Sequence, residues 1–63
     1  MKKEKIKEKR LKMGFSQESL ARKIGVTRQT INLIEAGKYN PSLKICKGIA
    51  RELNATLDEL FGD

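Results

Sequence analysis

Apolar residues recur along the chain at intervals of three and four positions, and no stretch alternates apolar with polar residues as a strand would. An interval of three to four residues is the period of an α-helix that buries one face. Glycines, one proline and hydroxyl residues that favour helix N-termini divide the chain into five such segments. The pattern therefore predicts an all-α, compact fold of five short helices.

The first helix is predicted from about Lys3 to Met13. Ile6, Arg10 and Met13 lie on one face of it, so we expect Ile6, the stem of Arg10 and Met13 to pack inward. Gly14 follows, and glycine readily adopts the positive φ at which many helices end.

The second and third helices repeat one arrangement, in which a hydroxyl residue caps the N-terminus and an apolar residue before the cap packs against the first turn. A glycine follows each C-terminus. Helices joined so closely must pack at a steep angle, which requires a small residue, Ala21, at the contact and a left-handed position, Gly25, at the turn. The caps are Ser16 and Thr27, the apolar pairs are Phe15 with Leu20 and Val26 with Ile31, and the glycines are Gly25 and Gly37.

Two more helices follow the loop that contains Pro41. This proline either precedes helix four or is its first residue. Helix four is predicted at about 42–53, and a capping box of Thr56 and Glu59 begins helix five, which ends near Phe61. The inward face of helix four is predicted to hold Leu43, Cys46, Ile49, Ala50 and Leu53.

Length and composition limit the classes of function. At 63 residues, we expect one domain, 1–63, that buries about 60% of the surface of its unfolded chain. The chain has no His and a single cysteine, Cys46, which excludes His-based catalytic triads, Cys/His metal sites and an intrachain disulfide. We therefore expect no enzyme, no cofactor and no metal site.

Neither a membrane span nor a signal peptide is predicted. No apolar run approaches the roughly 20 residues needed to cross a bilayer. The opening MKKEK lacks the apolar segment of a signal peptide. We expect a cytoplasmic protein.

The net charge of +6 is unevenly distributed. Residues 1–12 hold seven Lys or Arg against two Glu, whereas residues 39–63 hold three Lys or Arg against four acidic residues. This gradient favours a polyanion that meets the N-terminal part of the chain. We interpret Lys2 to Lys12 as a source of long-range attraction, although a Lys-rich helix is also a common solvated face.

The stretch VTRQTINLIEAG, residues 26–37, predicts a helix with two unlike faces. At about 100° per residue, Ile31 and Ile34 point one way. A solvated opposite face would typically hold Glu and Lys, but here three of its residues can form bidentate hydrogen bonds. That face consists of Arg28, Gln29, Asn32 and Leu33.

The segment QESLARKIGVTRQTINLIEAG resembles the helix-turn-helix of the phage repressor and Cro family of transcriptional regulators. The agreement extends from Ile6 through the KYNPSL loop to the closing TLDELF. The resemblance implies that the second helix of the motif, helix three of the chain, enters the major groove of double-stranded DNA and touches base edges.

For the exposed face of helix three, the resemblance implies base reading. Gln29 has the amide geometry to bond adenine, directly or through water, and Arg28 has the fork to bond guanine or can contact phosphate only. Leu33 is expected against a thymine methyl, or is an incidental surface leucine. Asn32 can reach a base or a phosphate.

The resemblance also implies contacts to the phosphate backbone. Gln17 matches the family residue that grips a phosphate at the N-terminus of helix two, where free N–H groups favour an anion. Ser16 and Thr27 cap helices, and their hydroxyls can assist. The loop residues expected along the backbone are Lys38, Tyr39, which can also pack on the domain, and Asn40.

Two further sets of residues are assigned to structure and assembly. The resemblance implies a partly buried ion pair of Arg10 with Glu35 that ties helix one to helix three. Helix five has more apolar side chains than so short a helix needs internally, and a dimer interface is expected at Leu57, Leu60 and Phe61.

The sequence thus predicts a sequence-specific transcriptional regulator, a homodimeric repressor of an inverted-repeat operator, with no small-molecule ligand. One alternative is an antitoxin that also represses its own operon. Another is an RNA-binding or protein-interaction module, or a nucleic-acid binder without sequence preference, because phosphate contacts alone give affinity without base discrimination.

Overall fold

The computed structural model describes residues 4–62, which form five α-helices and no strand. This confirms the predicted all-α, five-helix fold. The predicted start of helix one at Lys3 lies outside the described residues. The helices are α1 (Glu4–Lys12), α2 (Gln17–Ile24), α3 (Arg28–Glu35), α4 (Leu43–Glu52) and α5 (Leu57–Phe61).

One hydrophobic core joins all five helices. Burying a large aliphatic side chain stabilises a fold by about 1.5–3 kcal/mol, so six such side chains without exposed surface supply most of the driving force. The inner face of α3 packs against this core through Ile31 and Ile34. The fully buried residues are Ile6, Leu20, Ile31, Ile34, Ile49 and Leu53, and the remaining buried apolar residues are Ala21, Ala50 and Leu60.

Hydroxyl residues begin four of the helices in the described part of the chain. In each case the side chain accepts a hydrogen bond from the backbone N–H three residues later, which is worth about 1 kcal/mol per cap. Glu59 returns a bond to the backbone N–H of Thr56, so the predicted capping box is present. The four caps are Ser16, Thr27, Ser42 and Thr56. Because Ser42 is the cap, Pro41 precedes helix four.

The turn between α2 and α3 has the predicted left-handed residue. Gly25 has φ of 79°, and its N–H donates to the carbonyl of Ala21. Ala21 is 2% exposed. A second close approach was not predicted, since a Cβ on Gly48 of α4 would lie 3.3 Å from Ile24 Cγ2 at the end of α2. Small residues therefore fix the position of the motif on the core.

Two residues predicted to pack inward are exposed. Met13 is 46% exposed; it directly follows Lys12, the last residue of α1, and its backbone N–H still donates to the carbonyl of Lys9. Leu43 is 62% exposed. It is the first residue of α4; Ile45 and Cys46, two and three residues later, are half-buried, and the fully covered part of the helix is 48–50.

Candidate nucleic-acid interface

The outer face of α3 collects the residues predicted to read bases. Arg28, Gln29 and Asn32 are exposed, and Leu33 is half-buried. Ile34, on the inner face, has no exposed surface. The burial of the inner face thus directs three hydrogen-bonding side chains to solvent from one rigid helix.

The N-terminus of α3 is held by a pair of threonines. Thr27 Oγ1 accepts a hydrogen bond from the backbone N–H of Thr30 at 3.2 Å, and the two hydroxyl oxygens lie 3.0 Å apart. Both bonds orient the first turn of α3. The Thr27 side chain is exposed, so it remains within reach of a phosphate.

The N-terminus of α2 is held by a more extensive cap than the sequence suggested. Ser16 Oγ accepts from the backbone N–H of Ser19 at 3.0 Å, while Ser19 Oγ accepts from the backbone N–H of Ser16 at 2.9 Å. The Ser16 hydroxyl also donates to Ser19 Oγ at 3.1 Å. The Ser16 oxygen therefore caps the helix, and its one hydroxyl hydrogen is donated to the Ser19 hydroxyl.

Gln17 bonds within the protein. Its Nε2 donates to Asn32 Oδ1 at 3.3 Å and to Glu35 Oε1 at 3.1 Å, which links α2 to both exposed and buried residues of α3. The sequence reasoning missed these contacts. It identified all three residues, but only the crossing angle of the two helices brings their side chains together.

The structure brings Arg10 and Glu35 together beneath the motif. Arg10 Nε donates to Glu35 Oε2 at 2.6 Å, and a second guanidinium nitrogen donates to Oε1 at 3.3 Å. The third nitrogen donates to the carbonyl of Phe15 at 2.9 Å. Both charged side chains are 6% exposed. The pair connects α1, the segment before α2, and the end of α3.

The loop after α3 exposes its three predicted phosphate-contacting residues. Lys38, Tyr39 and Asn40 are all exposed, with Tyr39 at 44%. The backbone N–H of Lys38 donates to the carbonyl of Leu33 at 2.9 Å. This bond anchors the start of the loop to α3, so the Lys38 side chain extends from a fixed backbone.

The α5 residues predicted at a dimer interface do not share one environment. Leu60 is 4% exposed and belongs to the core of the single chain. It is therefore not free to contact a second copy. Leu57 and Phe61 are half-buried against the core and retain exposed surface.

The described residues contain neither a candidate metal site nor a membrane-spanning helix. Within 4–62, no group of three or more His, Cys, Asp or Glu side chains is placed to hold a metal ion. No helix in this part of the chain is long and apolar enough to cross a membrane.

Comparison with known proteins places these features in a family. Residues 6–60 match the family described as helix-turn-helix. The chain is 54% identical over 56 residues to an uncharacterized HTH-type transcriptional regulator of Archaeoglobus fulgidus, covering 89% of this chain and 80% of the relative. It is 42% identical over 59 residues to the uncharacterized HTH-type transcriptional regulator YgzD of Bacillus subtilis, covering 94% of this chain and 89% of the relative.

A solved structure has the same architecture. The restriction-modification controller protein C.AhdI from Aeromonas hydrophila superposes with a TM-score of 0.83 and 34% sequence identity. The match covers 92% of this chain and 88% of the controller protein. The two chains therefore share the same fold over most of their length.

Proposed function

The chain belongs to the Cro/C1-type helix-turn-helix family of DNA-binding transcriptional regulators, and we propose that it acts as a homodimeric repressor. Each protomer inserts α3 into the major groove of one half of an inverted-repeat operator. A dimer bound at a promoter then represses transcription by obstructing RNA polymerase.

The exposed face of α3 is the observation on which this proposal rests. Arg28, Gln29 and Asn32 are exposed on the side opposite the fully buried Ile31 and Ile34. In the groove, the Arg28 guanidinium bonds O6 and N7 of guanine, and the Gln29 amide bonds N6 and N7 of adenine. The exposed part of Leu33 contacts a thymine methyl.

Phosphate contacts on either side of α3 fix its register on the duplex. Lys38, Tyr39 and Asn40 contact the backbone from the exposed loop after α3, and the Thr27 hydroxyl contacts it from the N-terminus. At the N-terminus of α2, the Ser16 hydroxyl donates its hydrogen to a phosphate oxygen in place of Ser19 Oγ. Gln17 is not in this set because both hydrogens of its Nε2 are donated across to α3, one of them to the buried Glu35 carboxylate, whereas the Ser16 bond is exposed and local.

Dimerisation is proposed because one short helix contacts only a few base pairs. A single α3 reads too few bases for useful specificity, and a second copy doubles the site. The proposed interface lies at α5, around the exposed parts of Leu57 and Phe61. Leu60, on the same helix, is buried in the core against which Leu57 and Phe61 pack.

Selection from a random duplex library tests the proposal. Bound duplexes are recovered at about 0.15 M salt, where non-specific attraction is partly screened, and are then sequenced. We expect an enriched inverted repeat whose half-sites lie about 34–36 Å, or one helical turn, apart. Binding without enrichment of any sequence contradicts the proposal and favours a non-specific nucleic-acid binder or a protein-interaction module.

Sedimentation of purified variants tests the interface separately. We expect Leu57→Gln and Phe61→Gln to shift the protein from dimer to monomer while circular dichroism still shows a folded helical chain. Leu11→Gln is the matched control, because Leu11 is 58% exposed on α1, outside the proposed interface. A wild-type protein that is monomeric at high concentration, with and without its selected duplex, contradicts the homodimer.

A further inference from the structure

A chain of hydrogen bonds runs from the buried ion pair to the exposed face of α3. Arg10 donates to Glu35 at 2.6 Å, and Gln17 Nε2 donates to the same carboxylate at 3.1 Å. The same Gln17 nitrogen donates to Asn32 Oδ1 at 3.3 Å. Asn32 is exposed among the proposed base-reading residues. The buried pair is thus linked to the DNA-facing surface through one glutamine.

The chemistry of each group sets the direction of every bond in this chain. An ionised carboxylate accepts hydrogen bonds and donates none, so the group that Gln17 turns toward Glu35 has to be its NH₂. That nitrogen then donates to Asn32 as well. Asn32 therefore turns its carbonyl oxygen toward Gln17 and has its own NH₂ available at the surface.

We propose that Gln17 is a positioning residue that fixes the orientation of the Asn32 amide, so that Asn32 presents a hydrogen-bond donor to the DNA. The base edge it reads is then an acceptor in the major groove: N7 or O6 of guanine, N7 of adenine, or O4 of thymine. This inference rests on the proposed function. It adds that Asn32 is the hydrogen-bond donor and the base edge the acceptor in this contact.

The same geometry argues against a phosphate contact for Gln17. Its two amide hydrogens are donated to Asn32 and Glu35, and the remaining Oε1 only accepts. Phosphate oxygens of DNA also only accept. To bind phosphate, Gln17 would have to give up its hydrogen bond to Asn32. A Gln17 that positions Asn32 affects the affinity at one base pair, whereas a Gln17 that contacts phosphate affects all duplexes alike.

A double-mutant cycle on the selected operator distinguishes the two roles. The affinities of wild type, Gln17→Ala, Asn32→Ala and the double variant are measured for the operator and for every single base-pair change. We expect Asn32→Ala to lose about five- to tenfold discrimination at one base pair. Gln17→Ala is expected to lose discrimination at the same base pair, and the double variant should lose no more than Asn32→Ala.

Asn32→Asp tests the polarity itself. Aspartate has the same shape as asparagine but presents an oxygen where the NH₂ was. We expect the preference at this base pair to move toward a donor, such as N4 of cytosine, while preferences at the other positions are unchanged. Retention of the original base preference by Asn32→Asp overturns the proposed orientation.

A matched control and the affinities for unrelated duplexes complete the test. Glu18→Gln alters an exposed residue next to Gln17 whose carboxylate is bonded to Arg22, and we expect an unchanged base preference. If Gln17→Ala instead weakens binding to all duplexes by a similar factor and leaves the base preference at every position unchanged, Gln17 binds phosphate and the proposal is wrong. A wild-type protein without any sequence preference contradicts the proposed function itself. Urea unfolding of each variant verifies that the folded protein is being compared.

Discussion

Arg10 and Glu35 lie 25 positions apart in the chain, yet Arg10 Nε and Glu35 Oε2 are 2.6 Å apart and both side chains are 6% exposed. No buried side-chain nitrogen or oxygen in the described residues lacks a hydrogen-bond partner. The ion pair is therefore fully satisfied. It anchors the last residue of α3 to α1, so the exposed face of α3 depends on a contact that DNA never touches.

Arg10→Ala should strongly destabilise the fold. It leaves the Glu35 carboxylate buried without its cation, at a cost of about 3–5 kcal/mol. A chain of this length has a total free energy of unfolding of only about 3–9 kcal/mol. We therefore expect Arg10→Ala to lose a large share of its free energy of unfolding, which urea unfolding at 25 °C measures as a much lower midpoint.

The exposed pair of Arg22 with Glu18 is the matched control. These side chains are 77% and 66% exposed and bond at 3.1 Å across one helical turn. Arg22→Ala should cost no more than about 0.5 kcal/mol. If Arg10→Ala and Arg22→Ala lowered the free energy of unfolding by the same amount, burial of the Arg10–Glu35 pair would make no difference to stability.

Gly25→Ala should destabilise the turn of the motif through backbone conformation alone. A Cβ at Gly25 meets no atom within 4 Å, but φ is 79°. The left-handed conformation costs a residue with a side chain about 1–2 kcal/mol. We expect that loss for Gly25→Ala in urea unfolding and a smaller loss for Gly25→Asn, because asparagine tolerates this conformation. Equal losses for the two variants would contradict the explanation.

The capping box of α5 should make stability depend on the charge of Glu59. The hydrogen bond from the Thr56 backbone N–H, helped by Lys9 and Lys5, holds the pKa of this carboxyl below its ordinary value of 4.5. A lowered pKa in the folded state stabilises the fold above the ordinary value, and the contribution disappears as the pH falls through the folded-state pKa.

Glu59→Gln provides the measurement for the capping box. Glutamine can still accept the Thr56 hydrogen bond but has no charge. We expect wild type to have the higher urea midpoint at pH 7 and the difference to shrink as the pH falls below 4.5. A difference that stays constant with pH would rule out a contribution from the ionised carboxylate.

Lys38→Ala should weaken binding to every duplex by a similar factor. Lys38 is exposed, and its backbone N–H is bonded to α3. Loss of one phosphate contact lowers the slope of log affinity against log salt by about 1. Lys47→Ala removes the same charge from an exposed position of α4, and we expect a smaller change in slope. A base-specific effect of Lys38→Ala would contradict the phosphate assignment.

Helix ends were predictable from the sequence because they depend on neighbours within about four residues. Ser16, Thr27 and Thr56 cap the predicted helices, and Glu59 completes the predicted box. Gly25 adopts the predicted positive φ. These features follow from local hydrogen bonds and sterics.

Burial at the ends of the helices was not predictable from periodicity. Met13 and Leu43 continue the apolar spacing of α1 and α4 but lie beyond the region where another helix covers them. Leu60 is the opposite case: it was predicted at an interface between two copies, but it is 4% exposed and belongs to the core of the single chain. Which apolar residue is covered depends on the relative positions of the helices, and spacing along one helix does not contain this information.

The bonds of Gln17 also required the structure. Gln17, Asn32 and Glu35 were each identified from the sequence, but their side chains meet only because α2 crosses α3 at one particular angle. From the sequence, the side-chain amide of Gln17 could contact either phosphate or another residue of the protein. The donor and acceptor assignment at Asn32 follows only once the Glu35 carboxylate is placed beside Gln17.

The central claim is that the exposed face of α3 reads base sequence. The most direct test is the ratio of the dissociation constants for a scrambled duplex and for the selected operator, measured at about 0.15 M salt. For wild type we expect a ratio of at least about 1,000. For the triple variant Arg28→Ala, Gln29→Ala, Asn32→Ala we expect a ratio near 1, with most of the affinity for the scrambled duplex retained through phosphate contacts. A folded triple variant that keeps the wild-type ratio would contradict the claim.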